Sequence, residues 1–348
     1  AAALNPASPI KLNAATRQRI LKAAERHGYR PDRYARGMRG GRSGLIGILH
    51  FGGLLQVAAE RVSHAAEAVR REGLEVVSAD LSWSTESLQT ACASMLDARV
   101  EGVILSGLNM PGVAEELKRL RQAGIPVVAL SGNPLPWASH FRADTRAAIQ
   151  RLTTHLIDLG HRRLALMTHI TERKDEPGSY VWAGRERALG FEAALKGAGG
   201  SLVPSFRKGT RFQGMLARIG LPRSPFDPFS PGINGMKELL RHTPLPTALL
   251  CSNDEVAYGA LSVCLEAGVC VPGQLSLTGY DDTALGRHCA VPLTTVRQPN
   301  EAMATAAVET LMEAIRNGTP SRPGRSRLFP CEILVRSSTA PPGGEVNA

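Results

Sequence analysis

From Leu45 onward the chain alternates short apolar runs with amphipathic stretches of helical period, and that rhythm limits the fold more than any other feature. Ile46–Leu49, Leu74–Ala79, Gly102–Ser106 and Pro126–Leu130 read as strands, with helices over 58–72, 86–96 and 113–123 between them. The pattern resumes with a helix over 146–159, a strand over 164–168 and a helix over 185–196. It ends with strands over 248–252 and 275–280 and helices over 255–267 and 301–317. Strands apolar on both faces need cover on both faces, which the intervening helices of a parallel α/β sheet supply. Gly73, Gly124, Gly160 and Gly268 each follow a predicted helix, where a left-handed cap is expected. The two series predict two similar doubly wound units split near residue 144, with a ligand cleft beyond the carboxyl ends of the strands. Residues 204–235, rich in Pro, Gly and Phe without a clean period, read as a long loop or insertion.

Charge is not spread evenly over this body. Residues 1–44 hold ten Lys/Arg and two Asp/Glu, a net of +8, whereas the whole 348-residue chain is +10, so the other 304 residues carry only +2. A basic arm on a near-neutral body is the charge layout of a nucleic-acid-binding segment joined to a sensor or enzyme. No run approaches the ~20 apolar residues of a membrane span, and nothing near the start reads as a secretory signal. The six cysteines form no CxxC pair, which points to reduced thiols in a cytoplasmic protein rather than disulfides or a metal site. The sequence contains no GxGxxG, phosphate-loop Gly-Lys, HExxH or GxSxG motif, so neither catalysis nor a cofactor is expected. Asp281-Asp282 is the one paired carboxylate in a loop after a strand; adjacent residues there point apart, which suits a ligand contact or a turn cap better than joint acid–base work.

Several ordered blocks carry a resemblance. Gly28-Tyr29-Arg30-Pro31 is followed by Arg42-Ser43, Glu101-Gly102-Val103-Ile104 and Leu159-Gly160-His161-Arg162-Arg163. Later come Arg187 with Gly190-Phe191, Asn253-Asp254, Gly279-Tyr280-Asp281-Asp282, Leu293-Thr294-Thr295-Val296 with Gln298, and Val335-Arg336-Ser337-Ser338-Thr339. In this order and spacing the chain resembles the LacI/GalR bacterial transcriptional regulators over nearly its whole length. The resemblance implies a helix-turn-helix headpiece, a hinge helix and a two-lobed core like that of periplasmic sugar-binding proteins. The expected fold is therefore α/β, with two parallel-sheet lobes behind a small, truncated helical headpiece. Residues 1–44 correspond to the partial headpiece and hinge helix. Residues 45–143 plus 298–327 make the N-terminal lobe, and 144–297 plus 328–339 the C-terminal lobe.

The resemblance also places functional residues. Asn5, Tyr29, Arg33, Ala35, Arg36 and Arg39 fall where the family contacts operator DNA. Met38 falls where an apolar hinge residue, usually Leu, wedges into the minor groove and kinks the duplex. Ala1-Ala2-Ala3-Leu4-Asn5 matches only the end of the recognition helix, so the headpiece is expected to be truncated here. For the effector, Arg187 offers a planar fork suited to vicinal hydroxyls or a carboxylate, and Asn253 and Asp281 fall on polar ligand contacts. Asp144 lies at the crossing between lobes, as a ligand contact or a turn cap; Asp254 and Asp282 suit turn-holding. Trp182, in a loop expected to close over the ligand, Phe229 and Phe51 are candidate stacking rings, with satellite core as the alternative for loop aromatics. Gly52-Gly53-Leu54 and Ser131 depart from the family's usual polar set.

The expected function is an effector-responsive, sequence-specific DNA-binding regulator, with a repressor favoured over an activator. Its expected partners are operator DNA, a small-molecule effector of the sugar kind and a second copy in a homodimer; no membrane and no metal are expected. The alternative is a stand-alone sugar-binding receptor that has lost DNA binding. A sugar-active or nucleotide-dependent enzyme is disfavoured by the missing motifs.

Overall fold

The computed structural model describes residue 3 and residues 12–29, 42–51, 55–81, 84–107, 113–133, 135–168, 181–202, 213–218, 227–318 and 325–343; at 181, 182, 201, 202 and 213–218 only the backbone is described. The N-terminal lobe is a six-stranded sheet. Its strands are β1 (Leu45–His50), β2 (Glu75–Asp80), β3 (Gly102–Ser106), β4 (Val127–Leu130), β5 (Ser139–Ala143) and β12 (Ser326–Phe329), in the order β12-β5-β4-β3-β1-β2. Every neighbouring pair is parallel. The C-terminal lobe is a five-stranded parallel sheet of β6 (Arg163–Thr168), β7 (Ser201–Leu202), β8 (Gln213–Arg218), β9 (Ala248–Cys251) and β10 (Ser276–Thr278), ordered β10-β9-β6-β8-β7. A short antiparallel pair, β11 (Thr295–Arg297) with β13 (Glu332–Leu334), lies on two of the three chain crossings between the lobes.

The helices form where caps and apolar stripes coincide. Before them α1 (Ala14–Arg26) starts at Asn13, whose side chain accepts the Ala15 N–H, and none of its residues is buried. In the N-terminal lobe α2 (Gln56–Arg71), α3 (Thr85–Asp97) and α4 (Val113–Gln122) alternate with the strands. Ser84 caps α3 by accepting the Ser87 N–H. In the C-terminal lobe α5 (Thr145–Asp158) is capped by Asp144 and packs on α6 (Val181–Gly197). Beyond them are α7 (Ser230–Leu239), α8 (Asp254–Glu266) and the single turn α9 (Ala284–His288). The chain then crosses back into α10 (Asn300–Asn317), which packs on α2 and on β3–β5 and ends at Gly318 with φ +60°. That packing is close: a Cβ on Gly102 in β3 would meet Leu311 at 2.8 Å. One apolar core runs from Ile46 and Val128 through Met303 and Leu311 to Ile149, Leu166 and Phe191, so buried side chains bind the two lobes where the chain crosses.

Three expectations change. The segment 204–235 is not all loop: β8 pairs with β6 over six residues and α7 begins at Ser230. The sequence Gln213–Arg218 has no β-branched residue and no alternation, so its strand state comes from pairing rather than propensity. Trp182 lies in the first turn of α6 rather than in a loop, because the helix begins at Val181. β12 continues in the N-terminal sheet to Phe329, two residues past the expected change of lobe at 327. β5 was hidden by its polar letters, Ser139 and His140; both are buried because the strand sits between β4 and β12.

Candidate functional site

The polar centre of the molecule is built on the loop between β10 and α9. Its shape depends on Asp254, the first residue of α8, which is buried completely. The Asp254 carboxylate accepts the Thr283 N–H at 2.6 Å, the Thr283 hydroxyl at 3.0 Å and the Thr295 hydroxyl at 2.7 Å. Gly279 lets that carboxylate lie against the loop backbone, since a Cβ there would fall 2.1 Å from Asp254 Oδ1. The stapled loop holds Asp281 and Asp282 at φ +110° and +54°, left-handed values that non-glycine residues adopt mainly where surrounding contacts enforce them.

The two neighbouring carboxylates face opposite environments. Asp282 accepts Arg336 at 2.5 Å and Arg297 at 2.8 Å, with Arg287 at 3.6 Å, so its buried charge is surrounded by guanidinium groups. Asp281 is also buried, but its hydrogen bond comes from the neutral Gln298 amide, Nε2 to Oδ1 at 2.5 Å. Burial and then the nearby Glu255 push the Asp281 carboxyl up to about 8, against the opposing pull of Arg187 and Arg61. Glu255, one residue after Asp254, is pushed up to about 7, chiefly by burial.

Two arginines converge on Asp281 from different elements. Arg187 projects from α6, whose path is set three residues later. Gly190 lies against α5 so closely that a Cβ would meet the Arg146 carbonyl at 2.4 Å, and Phe191 fills the core beside it. The Arg-x-x-Gly-Phe pattern thus fixes where Arg187 leaves its helix. Its guanidinium lies over the Tyr280 ring, 4.7 Å from the centroid, and its buried Nε has no hydrogen-bond partner among the described residues. Tyr280 is held in turn by a 3.0 Å hydrogen bond between its hydroxyl and Thr145.

Arg61 comes from the N-terminal lobe. It occupies a buried position on α2, in line with Ala58, Ala65 and Ala68. A Cβ on Gly107 would sit 3.8 Å from Arg61 Nη1 and 4.0 Å from the Phe51 carbonyl, so the arginine ends at the carboxyl edge of β1 and β3. Its electrostatic neighbours are Asp281, Tyr280 and Arg187 of the other lobe and Glu60 of its own helix, and its buried Nε is unpartnered among the described residues. The lobes also touch where the Gln56 side chain accepts the Ala284 N–H at 2.9 Å.

Of the residues expected to contact an effector, Arg187 and Asp281 meet in this cluster. Asp144 and Asn253 spend a side-chain oxygen each on capping α5 and α8, through the Ala147 N–H at 3.1 Å and the Val256 N–H at 2.9 Å. Phe229 sits at the start of α7, edge-on to Tyr258 at 5.6 Å. Phe51 is 4% exposed and packs in an apolar cluster with Leu49, Leu81 and Leu105. The Trp182 side chain lies outside the described residues, as do Asn5, Arg33, Ala35, Arg36, Met38 and Arg39 of the expected DNA contacts. Tyr29 is exposed just beyond α1. Sequence reasoning missed Arg61, Glu255 and the roles of Tyr280 and Gln298. For Arg61 a signal exists: it is the one charged residue at a helical spacing otherwise filled by alanines. Among the described residues no helix is long and apolar enough to cross a membrane, and no group of His, Cys, Asp and Glu could hold a metal ion.

Comparison with known proteins identifies the family of the fold. Residues 153–339 match the periplasmic binding protein-like domain, and residues 59–208 match the domain described as periplasmic binding proteins and sugar binding domain of LacI family. An uncharacterized HTH-type transcriptional regulator in the aml 5' region of Streptomyces limosus is 32% identical over 345 residues, covering 94% of this chain and 88% of that protein. The HTH-type transcriptional regulator MalR of Streptomyces coelicolor is 31% identical over 361 residues, covering 95% and 90%. The solved structure of a LacI transcriptional regulator from a Rhodococcus species superposes with a TM-score of 0.68 at 26% identity, over 86% of this chain and all of the other. With two parallel-sheet lobes, a polar cluster between them and relatives of this identity over nearly its whole length, the chain belongs to the LacI family of HTH-type transcriptional regulators.

Proposed function

We propose that this regulator is a cytoplasmic, homodimeric repressor that binds operator DNA and senses a small sugar-like effector between its lobes, with Arg187 and Asp281 as the central ligand contacts. The carrying observation is the meeting of Arg187 and Asp281, from separate elements of one lobe, with Arg61 from the other. A ligand seated there touches both lobes and therefore senses their relative position. The match to a sugar-binding domain supports the ligand class. Asp144 and Asn253 contribute by holding α5 and α8 in place rather than by spending their capping oxygens on the effector.

Coupling to DNA follows from Gln298. It donates to Asp281 from the crossing segment that leads into α10, so a ligand that engages Asp281 competes for the contact tying the C-terminal lobe to that crossing. An effector alters DNA affinity only by its differential affinity for the two lobe arrangements, and the coupling is reciprocal. Dimerisation is supported by Tyr258 and Leu265, seven residues apart on α8 and 37% and 58% exposed. The basic arm supplies the phosphate-directed charge that operator binding requires.

A thermal-shift screen of neutral mono- and disaccharides followed by titration tests the site. Arg187→Ala and Asp281→Ala should each weaken a hit by about 5- to 150-fold, because each leaves a buried ligand group unpaired at about 1–3 kcal/mol. Wild-type affinity in both variants would place the effector elsewhere.

A further inference from the structure

This centre holds two guanidinium groups, one from each lobe. Resting on the effector reading above and narrowing its chemistry, we propose that the ligand carries an anionic group, a carboxylate or a phosphate, gripped between Arg61 and Arg187. Neither side chain has, among the described residues, a hydrogen-bond partner for its buried Nε, and Arg61 is only 8% exposed. Among the described residues neither guanidinium has a carboxylate within ion-pair distance, while Asp282 in the same loop draws three. Asp281, the nearest acid of the loop, has its Oδ1 engaged by Gln298 at 2.5 Å.

Guanidinium does not deprotonate in proteins, so the buried Arg61 and the half-buried Arg187 bring two fixed positive charges to one place without an ion-paired carboxylate among the described residues, an arrangement that an anion would relieve. The planar fork of arginine matches a carboxylate or phosphate in two parallel hydrogen bonds. The surrounding acids do not oppose this. Burial holds Asp281 near 8 and Glu255 near 7, so at neutral pH both spend much of their time protonated and able to donate to an anionic oxygen. Arg187, with one face on Tyr280, keeps its N–H edge available to a ligand.

The test uses matched probes at constant ionic strength: glucose, glucuronate, glucose 6-phosphate and inorganic phosphate, with maltose and cellobiose as neutral controls, read by melting shift and titration calorimetry. At least one anion should bind about tenfold or more tightly than glucose, and Arg61→Met and Arg187→Met should each abolish that preference, as loss of a charge-assisted pair implies. A response to glucuronate alone identifies a carboxylate, and one to the phosphates alone a phosphoryl group. Neutral sugars binding as tightly as the anions would overturn the charge inference and leave the effector reading standing. So would anion binding that survives both substitutions. Silence from every anion overturns the inference as well, and the maltose and cellobiose arms then report separately on the effector reading. If Arg61→Met does not fold, Arg61→Gln and Arg187→Met supply the same comparison.

Discussion

Two buried arginine–aspartate groups lie one residue apart in this molecule and are organised in opposite ways. Around Asp282 three guanidinium groups converge on one carboxylate, joining the β10–α9 loop to Arg297 of β11 and to Arg336 beyond β13. Around Asp281 two guanidinium groups approach without closing an ion pair, and the carboxyl is left to a neutral amide. A charge that is fully paired inside the protein has little left to offer a ligand, and one held buried and unpaired is poised for a partner from outside. Position in sequence does not distinguish these adjacent aspartates; what approaches each of them does.

The sharpest way to break this comparison is Asp282→Ala. Removing the shared carboxylate should destabilise the protein by about 2–4 kcal/mol, less than the full value for a buried pair because the arginines retain some solvent. Urea unfolding should show a lower midpoint at unchanged slope. A loss below about 0.5 kcal/mol, the range of an ordinary surface substitution, would show that Asp282 is no anchor.

pH gives the next largest effect. Glu255 and Asp281 have native pKa values raised from 4.5 to about 7 and from 3.8 to about 8, so the folded state retains protons that the unfolded chain releases. Their contribution is therefore full below about pH 4 and is lost as pH rises through 7 and 8. Glu255→Gln should raise stability at pH 8 by about 1–3 kcal/mol and leave it nearly unchanged at pH 4, as parallel denaturant titrations would show. An equal effect at both pH values would mean that Glu255 is solvated and outside this centre.

Asp144→Ala and Asn253→Ala should have the smallest effect, about 1 kcal/mol each, the usual worth of a helix cap. Ligand affinity should change less than threefold, against the far larger losses expected at Arg187 and Asp281. A large affinity loss at either capping residue with unchanged stability would return it to the ligand.

Much of the fold was legible because burial on both faces leaves a mark on a strand. β1, β3, β4, β6 and β9 are apolar runs, and the helices between them carry stripes and caps that can be read locally. β5 and β8 escaped because their strand state depends on neighbours that their own letters do not specify: β5 buries Ser139 and His140, and β8 lacks β-branched residues. In the candidate centre the resemblance to the family, carried by the motifs around them, singled out Arg187 and Asp281. The same reading placed Asn253 on the ligand and left Asp144 open between ligand contact and cap, since nothing in one dimension shows whether a side-chain oxygen turns toward a ligand or back to the N–H three residues on.

The alternation of strands and helices, the basic arm and the residue types in the β10–α9 loop can be read along the chain, because these depend on local periodicity and composition. Folding, not local sequence, set Arg61 across the lobes from Asp281 and Arg187, which follow it by 220 and 126 residues in the chain. It also decided that of two adjacent aspartates one is ion-paired with arginines and the other is bonded by a neutral amide. The physical reason is that burial, ion pairing and desolvation are properties of who stands next to whom in space, and folding assigns those neighbours from segments far apart in sequence.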